Sequence, residues 1–319
     1  MIKVAISGAD TPEAGELIRI LVNHPDVEIV ALIAQRHDGK PVQSLHHGLL
    51  GEINIPFSSS LRPEQADLLI IADKKVKYDD YKRLLKSFPD LKVITLHNFV
   101  SDEERPINFP EDISEEDVVQ MEEPVYALPE INRKALVRGA KAAEIPSPLA
   151  SLVLVSLYPL ANHMLLSGDI TLNISAPDDM LTEENRAEGL KEIKAALQIA
   201  QRSFNGDIKI NPLPAKSKRG MELEIDLRSP LDLDHLLSTY DIYDDHNFAF
   251  TVINPVHLDD VKGTEKVITS LSLSKDGMLN IHAVADGRLR GSAGEAVHVM
   301  NLMFGLHEKT GLYLKPYAF

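Results

Sequence analysis

Short apolar runs, separated by helical segments, limit what the first hundred residues of this chain can fold into. Lys3–Ile6, Val27–Ile33, Ala66–Ala72 and Lys92–Leu96 are rich in Val, Ile and Leu. Such runs predict strands buried on both faces of a parallel sheet. Between the first two, Glu13–Asn23 carries Leu17, Ile18, Ile20 and Leu21 at helical spacing, and Tyr78–Phe88 is a second helix candidate. The alternation predicts a doubly wound, Rossmann-like α/β sheet with any ligand beyond the carboxyl ends of its strands.

The pattern then changes. Ser101–Glu123 holds ten acids and a single base, Arg105, and is expected to be an exposed linker or a docking surface. Ile131–Glu144 has the pattern of a basic amphipathic helix. Ser147 can cap, and Pro148 can open, a helix running through the apolar stretch to about Leu166. Pro159 is expected to kink that helix or end it early. Thr182–Phe204 is a long helix with Leu190, Ile193, Leu197, Ala200 and Phe204 on one face. Strands are expected at Asp169–Ala176, Asp207–Pro212, Met221–Arg228, Asn247–Asn254, Lys266–Ser274 and Met278–Val284, the last two joined by a turn at Lys275-Asp276-Gly277. With helices at Leu231–Tyr240 and Gly294–Leu306, the second half predicts an α+β unit with a mainly antiparallel sheet. A length of 319 residues suits two domains.

Acidic residues exceed basic ones by 48 − 33 = 15, which argues against nucleic acid as a partner. There is no cysteine, hence no disulfide, no thiolate metal ligand and no thiol nucleophile. No run of ~18 apolar residues predicts a membrane span. The opening Met1–Gly8 is strand-like rather than a signal peptide, so a cytoplasmic location is expected. His46-His47 is adjacent rather than spaced as a metal pair. Asp241, Asp244, Asp245 and His246 lack the glycine and closing glutamate of a calcium loop, so no metal site is expected.

Several segments stand in order along the chain: Gly15-Glu16-Leu17-Ile18-Arg19 with Asn23-His24-Pro25, His47-Gly48-Leu49-Leu50-Gly51, Tyr126-Ala127-Leu128-Pro129-Glu130-Ile131-Asn132-Arg133 and Tyr158-Pro159-Leu160-Ala161. Gly291-Ser292-Ala293-Gly294-Glu295-Ala296, Met300–Leu306 and Thr310-Gly311-Leu312 complete the set. Together they resemble the N-acetyl-γ-glutamyl-phosphate reductase family of semialdehyde dehydrogenases. The resemblance implies a nucleotide-binding domain, 1–146 with the returning 293–319, and a substrate-side domain, 147–292, whose sheet pairs subunits into a dimer or tetramer. It also implies NADPH-dependent reduction of an acyl phosphate to an aldehyde in arginine biosynthesis, through a cysteine thioester with a histidine as acid–base.

The chain departs from that pattern where the chemistry lies. The family's nucleophile position is Pro148, and Ala187 and Gly189 stand at the histidine positions, so no catalytic residue is expected. Ser147 is either a helix cap or a substrate-side residue. In the phosphate loop, Gly8 and Ala9 are followed by Asp10 and Thr11, with Thr11 in place of a glycine and Asp10 bringing negative charge towards a diphosphate. Arg36 either holds the 2′-phosphate of NADP or is a solvated loop residue beside Asp38. The Asp73-Lys74-Lys75 loop lacks the family's His-Gly, and Arg219 either binds a substrate anion or enters a strand. NADP binding is thus in question. The expectation is a non-catalytic relative with an interaction or regulatory role, a homo-oligomer or the partner of an active reductase. The alternatives are an NADP-dependent oxidoreductase acting without a covalent intermediate, and a nucleotide or metabolite sensor.

Overall fold

The computed structural model describes residues 1–60, 62–74, 76–98, 108 and 123–316. Nearly all of the acidic 101–123 segment lies outside the described residues. The chain divides into two compact units: Met1–Ile145 with Ser292–Tyr313, and Pro146–Gly291 with the segment from Leu314.

The first unit runs through β1 (Ile2–Ser7), α1 (Pro12–Leu21), β2 (Val27–Ile33), β3 (Phe57–Ser58), β4 (Leu68–Ile71), α2 (Tyr78–Ser87) and β5 (Lys92–Thr95). β6 (Val125–Tyr126), α3 (Pro129–Val137) and β7 (Ala142–Glu144) follow, and a late helix, α7 (Ala293–Met303), joins them. Its seven strands are ordered β3-β2-β1-β4-β5-β7-β6, and every pairing is parallel. β4 shows why: Leu68, Leu69, Ile70 and Ile71 are all buried, as a strand covered on both faces requires. The helix expected over Ile131–Glu144 is corrected here. α3 stops at Val137, Gly139 turns the chain at φ +124°, and Ala142–Glu144 is a strand between β5 and β6. An Ala-Ala-Glu run favours helix by itself, but two neighbouring strand edges outweigh that small preference.

The second unit contains α4 (Pro148–Asn162), β8 (Ile170–Ser175), α5 (Glu183–Ala200), β9 (Ile208–Leu213), β10 (Gly220–Arg228) and α6 (Leu233–Thr239). β11 (Ala249–Val252), β12 (Val267–Leu273) and β13 (Met278–Asp286) complete it. The sheet order is β11-β12-β13-β10-β8-β9. The three inner pairings are antiparallel and the two outer ones parallel. Along β10, Leu223, Ile225 and Leu227 are buried while Glu224, Asp226 and Arg228 are exposed, the alternation of a sheet with one covered face. No described helix is long and apolar enough to cross a membrane.

Pro159 neither ends α4 nor breaks it, and the helix stops at Asn162 rather than near Leu166. A proline at 159 cannot donate to the carbonyl of Val155. Tyr243 Oη donates to Val155 O at 2.9 Å instead, and Tyr240 Oη to Ser156 O at 2.6 Å. Burial raises the Tyr240 pKa, which keeps that hydroxyl protonated as a donor. Tyr243→Phe should therefore cost about 1–3 kcal/mol by leaving a buried carbonyl unpaired. In a Pro159→Ala background the restored amide takes over, and urea titrations should show most of that cost gone. An equal cost in both backgrounds would refute the compensation.

Candidate functional site

In the first unit the turn after β1 is where a doubly wound sheet receives a ligand. Gly8 adopts φ +69°, and a Cβ there would lie 2.6 Å from the amide nitrogen of Asp73, so only glycine fits. Two of the amides that follow are spent inside the chain. Ala9 N–H donates to Ile33 O and Thr11 N–H to Gly8 O, both at 3.0 Å. Thr11 Oγ1 caps α1 by accepting from Ala14 N–H at 3.2 Å, and Pro12 has no amide hydrogen. His46 Nε2 lies 2.7 Å from Ala9 O, and its ring fills the space beside Gly15, which explains this histidine without a metal.

Acids surround the turn. The Asp10 carboxylate lies 3.7 Å from His37 Nε2, and Asp73 Oδ2 accepts from Ser7 Oγ at 2.5 Å. Arg36 is exposed in the short turn after β2. Sequence reasoning missed His97, just beyond β5, whose Nε2 is buried with no hydrogen-bond partner among the described residues. Its burial lowers its pKa and Lys74 lowers it further, against the opposing pull of Glu13 and Asp73.

In the second unit the start of α4 is closed. Ser147 Oγ accepts from Ala150 N–H at 3.3 Å, as an N-cap, and Pro148 is the first residue of the helix. Ser147 N–H donates to Glu192 Oε2 of α5 at 2.9 Å. Gly291, at φ +64°, packs its backbone against the same turn: a Cβ there would stand 2.4 Å from Pro148 Cα. Gly189 lies on α5 facing Leu149 and Ser147, with 3.0 Å between a notional Cβ and Leu149 Cδ2, whereas Ala187 is exposed. The structure thus brings Ser147, Pro148 and Gly189 together, but as packing, with no proton-moving group among them.

Arg219, a candidate anion binder, is matched by a carboxylate 67 residues away. Its Nε donates to Asp286 Oδ2 at 2.7 Å. Asp286 is fully buried and also accepts from Gly263 N–H at 2.7 Å and Arg288 N–H at 3.0 Å. The guanidinium therefore balances an internal charge.

The segments that carry the family resemblance in the first unit are scaffold. Asn132 clamps its own turn, accepting from Leu128 N–H at 3.1 Å and donating to Tyr126 O at 2.7 Å. Asn301 Nδ2 donates to Glu308 O and Thr310 O, and Asn301 Oδ1 lies 3.0 Å from His24 Nε2. Glu308 joins Arg133 and His298, each at 2.9 Å. Gly311 is needed because a Cβ would meet His24 Cδ2 at 2.3 Å.

Residues 3–138 match the family model described as semialdehyde dehydrogenase, NAD binding domain. Over its whole length the chain is 32% identical to an N-acetyl-γ-glutamyl-phosphate reductase of Phocaeicola vulgatus, and 30% identical to one of Parabacteroides distasonis, each covered completely. Among solved structures it resembles aspartate semialdehyde dehydrogenase II of Vibrio cholerae, complexed with ASA, at TM-score 0.62 and 14% identity, covering 96% of this chain and 98% of that one. The aspartate semialdehyde dehydrogenase of Candida albicans, solved with NADP, gives TM-score 0.62 at 15% identity, covering 95% and 98%. These structures share its fold, and the end-to-end identity with the curated relatives places this chain in the N-acetyl-γ-glutamyl-phosphate reductase family.

Proposed function

We propose that this chain is a non-catalytic member of the reductase family that works by binding, as a homo-oligomer or as the partner of an active reductase. One observation carries the reading: the turn where the family resemblance puts a thiolate is a capped helix start, with Pro148 as its first residue, in a chain without cysteine. Proline offers no nucleophile, Ser147 Oγ is engaged as a cap, and the neighbouring Glu192 carboxylate is held by the Ser147 amide.

The residues of the first turn do not fit a dinucleotide diphosphate. Ala9 N–H and Thr11 N–H are donated within the chain, Pro12 has no amide hydrogen, and Asp10 and Asp73 flank the turn. Like charges about 4 Å apart repel by about 1 kcal/mol in water and about 4 kcal/mol at an effective dielectric of ~20. No hydride step is assigned to this chain.

With N-acetylglutamate semialdehyde, phosphate and NADP⁺, turnover should stay below about 10⁻³ s⁻¹, against a median near 10 s⁻¹ for working enzymes. A rate near ~1 s⁻¹ would overturn the reading. Light scattering after size exclusion, with the chain alone and mixed with an active reductase, reads the binding role. A single-chain mass in both runs would remove that role.

A further inference from the structure

The second unit's sheet carries a group of potential metal donors away from the turn at Pro148. β10 and β13 run antiparallel with Glu224 directly opposite His282, and Glu222 is two residues along β10 on the same side. One ligand atom from each of Glu222, Glu224 and His282 lies within 4.8 Å of the other two. Glu222 Oε1 and His282 Nε2 are 2.9 Å apart, while Glu222 Oε2 holds the ammonium of Lys216 at 2.6 Å. The Glu222 and His282 side chains are only 14% and 20% exposed, and Glu224 is open to solvent.

We propose that Glu222, Glu224 and His282 form a zinc-binding site. Paired strands fix the three Cβ positions, so little chain ordering opposes binding. The donor set is one imidazole and two carboxylates. Imidazole favours zinc over magnesium, and three protein ligands leave a fourth tetrahedral position for water. Lys216, with its side chain 58% exposed, is the competitor. It neutralises one carboxylate from a flexible stem and can return to water when a divalent ion bonds all three groups. His282 must then turn its Nε2 lone pair to the ion and carry its proton on Nδ1.

Isothermal titration of the full chain with zinc chloride should show one equivalent bound with Kd near about 1 μM, and magnesium chloride should show no saturation. His282→Gln and Glu224→Gln should each weaken zinc binding by at least about tenfold. Lys216→Met should tighten it, a gain that misfolding cannot imitate. The proposal fails if no isotherm appears below about 100 μM zinc, if His282→Gln leaves the isotherm unchanged, or if Lys216→Met weakens it.

Discussion

Arg290→Met is expected to lower the stability of the second unit by about 3–5 kcal/mol, read as a fall in the urea midpoint at unchanged slope. Arg290 and Glu265 are both fully buried, with Nη1 3.7 Å from Oε1, and Arg290 Nε donates to Ser151 Oγ at 2.7 Å. Methionine fills similar volume but removes the charge that lies beside the buried Glu265 carboxylate. The cost comes from keeping that carboxylate buried with less compensation rather than from the attraction lost, because burying a pair roughly cancels what the pair gains. Adding Glu265→Gln should therefore restore a large part of the stability, although two interactions have gone. A single-variant cost below ~1 kcal/mol, or a double variant worse than the single, would refute this account.

What could be seen in advance followed from how far apart in sequence the deciding residues lie. β4 was legible because a strand buried on both faces must itself be apolar, and Leu68–Ile71 is. The N-cap Ser147 was legible because the cap acts on an amide three residues on. The absence of any thiol needed no structure, since it is a property of composition. What lies opposite Pro159 was not legible, because the hydroxyl that replaces its missing amide comes from Tyr243, 88 residues beyond Val155. Ala142–Glu144 misled because its neighbours in the sheet, not its side chains, make it a strand. The pairing of Arg219 with Asp286 was not legible, because the two lie 67 residues apart. The Gly291 backbone that closes the turn at Pro148, and the meeting of Glu222 with His282, have no local signal at all.

The buried motif residues of the first unit form a network that makes its own prediction. In the first unit, burial alone would raise the Glu308 carboxyl. The hydrogen bond and charge of His298, joined by Arg133, overcome this and hold it at about 2, against an ordinary 4.5. A carboxyl depressed on folding contributes stability that is complete above its unfolded pKa and lost as pH falls through the folded one. The window here lies between about 4.5 and about 2. The difference of roughly 2.5 units corresponds to about 3 kcal/mol at most, and about 2 once partial solvent screening is allowed for. Glu308→Gln should thus be about 2 kcal/mol less stable than the native chain near pH 7, with the gap narrowing steadily below pH ~4.5. Urea titrations of both proteins at several pH values test this. A gap that stays constant down to pH ~3 would mean that the network holds the fold by shape alone, with no contribution from the Glu308 charge.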